Sequence, residues 1–342
     1  MELPIRPMLA RLARELPHGD FLYEPKWDGF RALAFRDGVD VELQSRHGRP
    51  LGRYFPELSE ALRALDEPRF VLDGEIVVVR EHELDFAALM ARLHPTASRV
   101  EKLRRDTPAS YVAFDVLSIG GEPLLERPFV ERRARLEALL NDVQPPLRVT
   151  PATADREIAA GWLERFEGVV AKERGLPYEP GRRTMVKVKR ERTADCVVAG
   201  FRWMGDHPFI GSLLLGLYGD DGELVHVGVI TSFSEQRRMA LVDELRQLVA
   251  PLPGHPWEHG FNVGRSPTGR LLGAAGRWIP GEMTQDWVPL RPELVVEVSY
   301  DQVDGHRFRH PARFRRWRPD RDPRSCTLDQ LAPTPTPAEA LG

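Results

Sequence analysis

The chain has 342 residues, of which 42% are hydrophobic and 29% are charged, and its formal net charge is −3. This composition is typical of a soluble globular protein with room for two domains, and it excludes the disordered and fibrous classes. A negative net charge also argues against a protein that coats nucleic acid through a global positive field. Because the longest apolar runs have only strand length and the N-terminus lacks a signal-peptide core, we predict a cytoplasmic protein without a membrane span.

Strand and helix patterns alternate in the first part of the chain. Residues 70–79 and 111–117 are rich in β-forming side chains, whereas residues 58–65 and 130–140 carry the periodicity of amphipathic helices. This mixture predicts an α+β domain, to which we assign residues 1–192.

The pattern changes after residue 192 to short strands. Strands are predicted at residues 196–201, 211–218, 224–230 and 294–298. One helix is predicted at residues 239–249, with Ser232 and Glu235 as a capping box ahead of it. Several short strands with one helix are typical of an OB-fold, although an SH3-like barrel fits nearly as well. We assign residues 193–328 to this domain and expect the Pro-rich tail, residues 329–342, to be disordered.

Cysteine is too scarce for a structural role through disulfides or zinc. Cys196 and Cys326 are the two cysteines, which is too few for a disulfide scaffold or a four-thiolate zinc site. We predict two free thiols, with Cys196 packed in a core.

Lysine is rare, since only five of the 48 basic residues are lysines. Arginine serves equally well for surface charge but cannot deprotonate into a nucleophile, so each lysine is informative. Lys102 lies in a polar run and is interpreted as incidental. The other four, Lys26, Lys172, Lys187 and Lys189, lie in short segments that suit a nucleotide site. An amine attacks phosphorus well when its pKa is lowered, although one Lys-x-Asp-Gly match at residues 26–29 is a weak signal alone.

Paired charges on strands add context to the lysines. Asp73 and Glu75 are two residues apart, so their carboxylates share one strand face and suit a hard cation or ribose hydroxyls. An Asp-Gly turn beside a solvent-facing Glu is the alternative. Lys187 and Lys189 also share a face and repel each other unless an anion such as phosphate lies between them. Glu167 offers a carboxylate at a strand start, where a metal that bridges two phosphates could use it.

Two further features are ambiguous by themselves. Phe114 fits either stacking on a base or filling the core, and its pattern alone favours the core. Residues 307–318 are strongly basic with interleaved aromatic side chains, which suits phosphate contacts. A solvated basic helix face explains the same segment equally well.

Together and in this order, the segments resemble the nucleotidyltransferase motifs of ATP-dependent DNA ligases. The matching segments are residues 24–31, 45–48, 72–77, 111–117, 167–172, 185–189, 289–300 and 309–323. More narrowly, the chain is similar to short bacterial repair ligases and to the ligase module of the bacterial end-joining enzyme. The resemblance implies an α+β nucleotidyltransferase domain of the ATP-grasp-like ligase type, followed by a mainly β OB-fold domain. It also implies that the helical DNA-binding domain of the large ligases is missing.

The resemblance further implies a lysyl-AMP mechanism with ATP as the cofactor. Lys26 would attack the α-phosphate, expel pyrophosphate and pass AMP to the 5′-phosphate of a nick, where the 3′-hydroxyl displaces it. The other implied ATP-binding residues are Glu24 for the adenine amino group, Arg31 and Glu75 for the ribose, Arg46 for ribose or nick phosphate, Phe114 for stacking, Lys187 and Lys189 for the α-phosphate with Arg183 as a helper, and Arg318 and Arg321 for pyrophosphate. Mg²⁺, or Mn²⁺, would be held by Glu167, Asp73 and Glu75. The implied DNA contacts are Arg46, Arg309, Arg313, Arg315 and Arg316.

The implied partners are nicked duplex DNA and repair proteins, and we expect a monomer. A hinge near residues 191–195 would let the barrel turn between adenylation and DNA binding. Alternative interpretations are an RNA ligase and an mRNA-capping guanylyltransferase, which share the lysine chemistry. A non-catalytic nucleic-acid-binding protein is a third, although the intact set of Lys26, Glu167, Lys187 and Lys189 argues against it.

Overall fold

The computed structural model describes residues 5–80, 83–93, 96–141, 143–260 and 287–331. The chain divides into two compact units at Arg190 and Glu191, two residues before the boundary predicted from sequence. In the part of the chain that is described, no helix combines the length and the apolar character needed to cross a membrane.

Strands and short helices build the first unit. Its strands are β1 (Leu9–Ala13), β2 (Phe21–Pro25), β3 (Phe30–Asp37), β4 (Asp40–Ser45), β5 (Arg69–Arg80), β6 (Glu83–Leu84), β7 (Ala109–Ile119), β8 (Glu122–Pro123), β9 (Leu147–Val149), β10 (Gly168–Glu173) and β11 (Arg183–Lys189). Its helices are α1 (Pro56–Arg63), α2 (Phe86–Ala91), α3 (Ala97–Asp106), α4 (Phe129–Leu139) and α5 (Arg156–Arg165), with a 3₁₀ turn at Gly52–Tyr54. The predicted strands at 70–79 and 111–117 are confirmed as β5 and β7, and the predicted helices as α1 and α4.

Two sheets organise these elements. The smaller sheet has the order β1, β11, β10, β2, and the larger has the order β4, β3, β5, β7, β8, with β6 paired to β5 and β9 to β7. Alternate side chains of β5 enter two different cores. Leu72 and Ile76 pack with Leu58 of α1 in one core, whereas Val71 packs with Met185 of β11 in the other. By the same alternation, the carboxylates of β5 face the smaller sheet.

The described residues of the second unit form a five-stranded antiparallel sheet, a two-stranded sheet and one α-helix. Its elements are β12 (Arg192–Met204), β13 (His207–Tyr218), β14 (Leu224–Ile230), α6 (Glu235–Arg246), β15 (Val288–Tyr300), β16 (Val303–Asp304), β17 (Arg307–Phe308) and β18 (Arg313–Trp317), followed by 3₁₀ turns at Pro323–Ser325 and Leu328–Leu331. The sheet order is β14, β13, β12, β15, β18. A bridge between Ile230 and Ala312 joins the two edge strands, so the sheet closes into a barrel. The four strands predicted here are confirmed within β12, β13, β14 and β15.

Two element boundaries differ from the predictions. Helix α6 begins at Glu235 rather than at residue 239, and its N-cap is Ser234, whose hydroxyl accepts from the Arg237 backbone at 3.3 Å. The capping-box assignment to Ser232 was therefore wrong, because Glu235 is the first residue of the helix and not the third. The predicted tail starts too early, since Leu331 is buried in the barrel core. The rest of that tail, residues 332–342, lies outside the described residues.

Both cysteines match their prediction. Cys196 and Cys326 are free and buried, and Cys196 packs within the barrel core. Burial raises the pKa of the Cys196 thiol well above its usual value, so it remains an unreactive core residue.

Candidate active site

Lys26 follows β2 and lies on a firmly held backbone. Its amide donates to the Gly168 carbonyl at 2.9 Å, which ties the segment to β10. The next residue, Trp27, is buried, and its indole nitrogen donates to Thr150 Oγ1 at 2.8 Å. The Trp27 ring also packs edge-on against Phe166, with ring centroids 5.3 Å apart. The backbone is thus fixed while the Lys26 side chain remains 24% exposed and accessible to a substrate.

Two glycines let the strands around Lys26 approach closely. A Cβ atom at Gly29 would lie 2.2 Å from the Ile76 carbonyl oxygen, and one at Gly168 would lie 2.2 Å from that of Val188. No side chain fits at either distance, so both positions require glycine. Gly29 therefore lets β5 lie close to the segment of Lys26, and Gly168 lets β11 lie close to the start of β10 beside Glu167.

Glu167 lies between two of the rare lysines. Its carboxylate contacts the Lys26 ammonium directly and forms an ion pair with Lys189 at 2.7 Å. Burial disfavours the charged form of this carboxyl, which is 8% exposed, but the ammonium groups of Lys26 and Lys189 together hold its pKa below the usual value. Glu167 therefore stays ionised and fixes both ammonium groups.

Lys187 has the opposite environment on the same face of β11. Partial burial lowers its pKa, and the neighbouring charges of Lys189, Lys26 and Arg46 lower it further. In the described part of the chain, no carboxylate lies within ion-pair distance of Lys187. Glu167 opposes this lowering only from beyond ion-pair distance, so an anion bound beside the half-buried Lys187 ammonium would stabilise its charged form.

Asp73 supports Arg31 and does not face an open site. Arg31 makes a two-point ion pair with Asp73, with Nε to Oδ1 at 3.0 Å and NH2 to Oδ2 at 2.6 Å. The Tyr178 hydroxyl also donates to Oδ2 at 2.7 Å. Since Asp73 is fully buried and both of its oxygens are engaged, the structure does not support the predicted metal role. Its geometry instead fixes the guanidinium of Arg31.

Glu75 is close to Lys26, Arg31 and Glu167. Burial raises the pKa of Glu75 to about 8, although Lys26 and Arg31 oppose the increase, and the charges of Glu167 and Asp28 add to it. Within the residues that the structure describes, no three His, Cys, Asp or Glu side chains form a metal-binding group. Any cation held by Glu167 and Glu75 would therefore need further oxygen ligands, which nucleotide phosphates can supply.

Phe114 is turned into the site by a β-bulge. Gly74 pairs with Ala113 and Asp73 pairs with Asp115, so Phe114 is the extra residue of β7 at this point. Its ring is half-buried and lies 5.3 Å from the Arg31 guanidinium. Phe114 is not among the residues of the described core clusters, and its half-buried ring can stack on a base.

Glu24, at the end of β2, is a buried carboxylate between two cations. Its Oε2 pairs with the Lys172 ammonium at 2.7 Å, and its Oε1 accepts from Arg133 at 3.2 Å. Lys172 also donates to the Phe114 carbonyl oxygen at 2.9 Å. These contacts connect the smaller sheet to the larger sheet and to α4.

Comparisons with known proteins agree with this arrangement. The model of the ATP dependent DNA ligase domain matches residues 7–189, and that of the ATP dependent DNA ligase C terminal region matches residues 206–321. The chain belongs to the ATP-dependent DNA ligase family. DNA ligase C2 of Mycolicibacterium smegmatis is 50% identical over 339 residues, which cover 97% of this chain and 95% of that protein.

Two further relatives support the narrower resemblance and the fold. The multifunctional non-homologous end joining DNA repair protein LigD of Mycobacterium tuberculosis is 31% identical over 326 residues, covering 93% of this ligase and 39% of LigD. A structure from a study of DNA binding by Lig E DNA ligases has a TM-score of 0.55 at 17% identity and covers 91% of this chain and 99% of its own. The predicted nucleotidyltransferase domain with a C-terminal OB-fold is confirmed. The prediction of a DNA ligase is also confirmed, in preference to an RNA ligase, a capping guanylyltransferase or a non-catalytic binding protein.

Several predicted ATP-binding arginines of this ligase are not part of the packed cluster. Arg46 is exposed in the turn after β4, yet it is near enough to lower the pKa of Lys187. Arg183 is exposed at the start of β11. In the second unit, Arg318 pairs with Asp195 at 2.9 Å, and Arg321 lies 3.7 Å from the same carboxylate.

The predicted DNA-binding segment of this ligase forms strands, so the helix alternative for it was wrong. Three of its arginines have carboxylate partners within the second unit: Arg309 with Asp304 at 2.9 Å, Arg315 with Glu191 at 3.2 Å and Arg316 with Glu297 at 2.7 Å. Arg313 is exposed and forms no ion pair with any described residue.

Sequence reasoning did not assign roles to Lys172 and Arg133. The rarity of lysine singled out Lys172, but its contact with Glu24 could not be read from the sequence. Arg133 is one of many arginines on a helix that was predicted only as amphipathic. It carried no local signal, since its partner Glu24 is 109 residues away in sequence.

Proposed function

We propose that this ligase seals nicks with a 5′-phosphate and a 3′-hydroxyl in duplex DNA through AMP carried on Lys26. The observation that supports this most strongly is the lysine cluster, in which Glu167 orients Lys26 and Lys189 while Lys187 remains without a carboxylate. A phosphate group placed there would meet three ammonium groups around one carboxylate. Phosphoryl transfer depends mainly on such positioning and charge neutralisation.

The first step joins the Lys26 amine to the α-phosphorus of ATP. The ammonium releases a proton, for which the departing pyrophosphate is an acceptor that the reaction itself supplies. A nitrogen–phosphorus bond forms as the bond to pyrophosphate breaks. Lys187 and Lys189 neutralise the charge that develops on the α-phosphate, Arg183 is a helper, and Arg318 and Arg321 orient the pyrophosphate.

The nucleoside is held by residues on both sheets. Phe114 stacks on adenine, and Glu24 accepts a hydrogen bond from its 6-amino group. Arg31, fixed by Asp73, and Glu75 bind the ribose hydroxyls. A carboxylate and a guanidinium are complementary partners for hydroxyl groups, since one accepts and the other donates.

A divalent cation belongs to this proposal, and Mg²⁺ or Mn²⁺ fits the donor set. Glu167 would hold it together with Glu75, because the electrostatic influence of each on the other and of Lys26 on both places the two carboxyl groups near each other, and a cation would favour the ionised form of Glu75. When bound, the cation supplies neutralisation of the phosphate oxygens. Asp73 is not proposed as a metal ligand, because its two carboxylate oxygens accept hydrogen bonds from Arg31 and Tyr178.

In the second step AMP moves from Lys26 to the 5′-phosphate of the nick, and in the third the 3′-hydroxyl displaces it. Arg46 and the arginines of β18 would contact the DNA backbone, joined by Arg309. The carboxylate partners of Arg315 and Arg316 can be exchanged for phosphates, because both arginines are exposed and surface ion pairs are weak. We propose that the enzyme acts as a monomer in the cytoplasm. We also propose that it works in DNA repair together with repair proteins, because its relative LigD is named as a non-homologous end joining DNA repair protein.

The proposal is tested by following a nucleotide through all three steps. The protein is incubated with α-labelled ATP or GTP and Mg²⁺, and then with a nicked DNA duplex or a nicked RNA duplex. We expect protein-bound label from ATP alone, transfer of that label to the 5′-phosphate of nicked DNA, and a sealed DNA strand. Label from GTP alone would contradict the adenine assignment, and sealing of RNA in preference to DNA would contradict the substrate.

A further inference from the structure

We propose that Arg133 is a positioning residue that gives this ligase its preference for a 6-amino purine, by keeping Glu24 a hydrogen-bond acceptor. The inference rests on the proposed adenylation of Lys26 and on Glu24 as the residue that contacts the base. It adds a residue from α4, outside the segments that carry the family resemblance.

The geometry gives each Glu24 oxygen its own cationic donor. Arg133 NH1 lies 3.2 Å from Oε1, and the Lys172 ammonium lies 2.7 Å from Oε2. Glu24 is only 3% exposed, so water cannot take the place of either donor. A carboxylate held in this way has lone pairs left only for accepting, which suits an exocyclic amino group.

Arg133 is itself held in place by hydrogen bonds from its other two nitrogens. Its NH2 donates to the Thr150 carbonyl oxygen at 2.6 Å, and its Nε donates to Glu137 at 2.6 Å. The Thr150 hydroxyl in turn accepts from the indole of Trp27, the residue after Lys26. Arg133 therefore couples α4 to the backbone of the nucleophile and to the carboxylate that contacts the base.

Arg133, the second cation beside Glu24, matters because it disfavours protonation of the Glu24 carboxyl. Burial raises the pKa of Glu24, and the neighbouring charges of Lys172 and Arg133 oppose that increase, whereas Asp115 adds to it. Without Arg133, one cation would remain beside a buried carboxyl, which would then take up a proton more readily. A protonated carboxyl donates, and the 6-oxo group of hypoxanthine or guanine accepts.

Arg133 is a cleaner probe of this effect than Lys172. The Lys172 ammonium also lies 4.7 Å from the centroid of the Phe114 ring and donates to its backbone, so its replacement would disturb stacking as well. Arg135 provides a matched control on the same helix. It is exposed and pairs with Glu122 at 3.1 Å, away from Glu24.

The test measures initial rates of protein–nucleotide adduct formation with ATP and with ITP. Hypoxanthine, the base of ITP, carries a 6-oxo group and a proton on N1, where adenine has a 6-amino group and an unprotonated N1. It also lacks the 2-amino group of guanine. We expect Arg133→Met and Arg133→Gln to lower the ATP-to-ITP rate ratio by about tenfold or more, as loss of a charged hydrogen-bond contact does. Arg133→Lys should keep the ratio within about threefold of the wild type, and Arg135→Met should leave it unchanged.

The outcomes separate this inference from the proposed function. Equal losses with ATP and ITP in Arg133→Met and Arg133→Gln, with no change in the ratio, would overturn the inference and leave Arg133 a purely structural residue. If Arg133→Met does not fold, Arg133→Gln and the rescue by Arg133→Lys still decide the matter. If the wild type forms no adduct with either nucleotide, the proposed function fails first, and the inference fails with it.

Discussion

The two basic regions of this ligase differ in how their charges are balanced. In the first unit, one carboxylate, Glu167, serves both Lys26 and Lys189 in a half-buried site, and Lys187 forms no ion pair with any described residue. On β18 of the second unit, Arg315 and Arg316 are exposed, and each has its own carboxylate partner. The first region therefore has a half-buried excess of positive charge, whereas on β18 two of the three exposed arginines are paired and Arg313 is open to solvent.

The difference indicates which region carries out the chemistry and which region only attracts the DNA backbone through its charge. A half-buried excess of cations is costly without an anion, so it marks a place where a phosphate binds in one fixed position. Exposed ion pairs contribute only about 0–1 kcal/mol each and are screened by salt, so their arginines can exchange partners with DNA phosphates. Single changes in the lysine site should thus cost orders of magnitude in rate, and single changes on β18 should cost little.

The largest effect is expected for Glu167→Gln. The uncharged amide cannot neutralise Lys26 and Lys189 and is a weaker cation ligand than a carboxylate, so adenylation should fall about a thousandfold, as loss of a transition-state electrostatic contact does. The rate of adduct formation with labelled ATP measures this. Glu164→Gln is the control, because that exposed carboxylate pairs with Arg190 at 2.9 Å. Retention of adenylation within tenfold of the wild type would remove Glu167 from the mechanism.

Replacement of the β11 lysines should have the next largest effect. Lys187→Ala and Lys189→Ala should each slow adenylation about a hundredfold or more, because each removes a cation from the α-phosphate position. Lys102→Ala, an exposed lysine of α3, should adenylate normally. Folding is checked by circular dichroism. Normal rates in both β11 variants would show that the excess of charge is not used for phosphate binding.

The barrel should show a smaller, pH-dependent effect on stability through His226. Burial, together with Arg307 and Arg202, lowers the pKa of His226 to about 3. Since the unfolded chain takes up this proton near pH 6.5, stability present at neutral pH is lost as the pH falls between those values. From pH 7 to pH 5 the loss from this group should be about 2 kcal/mol, measured by urea unfolding as the difference between wild type and His226→Gln. His306→Gln, at an exposed position, is the control, and identical pH profiles for wild type and His226→Gln would contradict the effect.

The smallest effects are expected on β18. Arg313→Ala, Arg315→Ala and Arg316→Ala should each weaken binding of nicked DNA less than about tenfold and reduce the slope of log affinity against log salt by about one. Fluorescence anisotropy at several salt concentrations measures both quantities, with adenylation, which needs no DNA, as the internal reference. Arg291→Ala is the control, since Arg291 is exposed and pairs with Glu293 on β15 at 2.9 Å. Unchanged salt slopes in all three β18 variants would show that the DNA interface lies elsewhere on the protein.

The sequence predicted the parts of this molecule that depend on local patterns. Strand periodicity gave β5 and β7 because hydrophobic side chains alternate or run continuously there. The rarity of lysine singled out Lys26, Lys187 and Lys189, and spacing by two placed the last two on one face of a strand. Their nearness to Glu167 followed only from the family resemblance.

Pairings between distant residues could not be predicted. Asp73 was interpreted as a metal ligand because an exposed carboxylate and a carboxylate paired with Arg31 look identical in sequence, and Tyr178 is 105 residues away. The bulge at Phe114 depends on the register between two strands, which no local pattern determines. Helix α6 was misplaced because Ser232 and Ser234 are equally good caps by composition, and packing decides between them.

The most direct test of the lysine site is to locate the adenylate on the chain. After incubation with ATP and Mg²⁺, the protein is denatured and digested under conditions that preserve phosphoramidates, and its peptides are analysed by mass spectrometry. The account predicts an AMP adduct on the peptide that contains Lys26 and on none that contains Lys102, Lys172, Lys187 or Lys189, and no adduct in Lys26→Arg. An adduct on another lysine, or one that persists in Lys26→Arg, would contradict it.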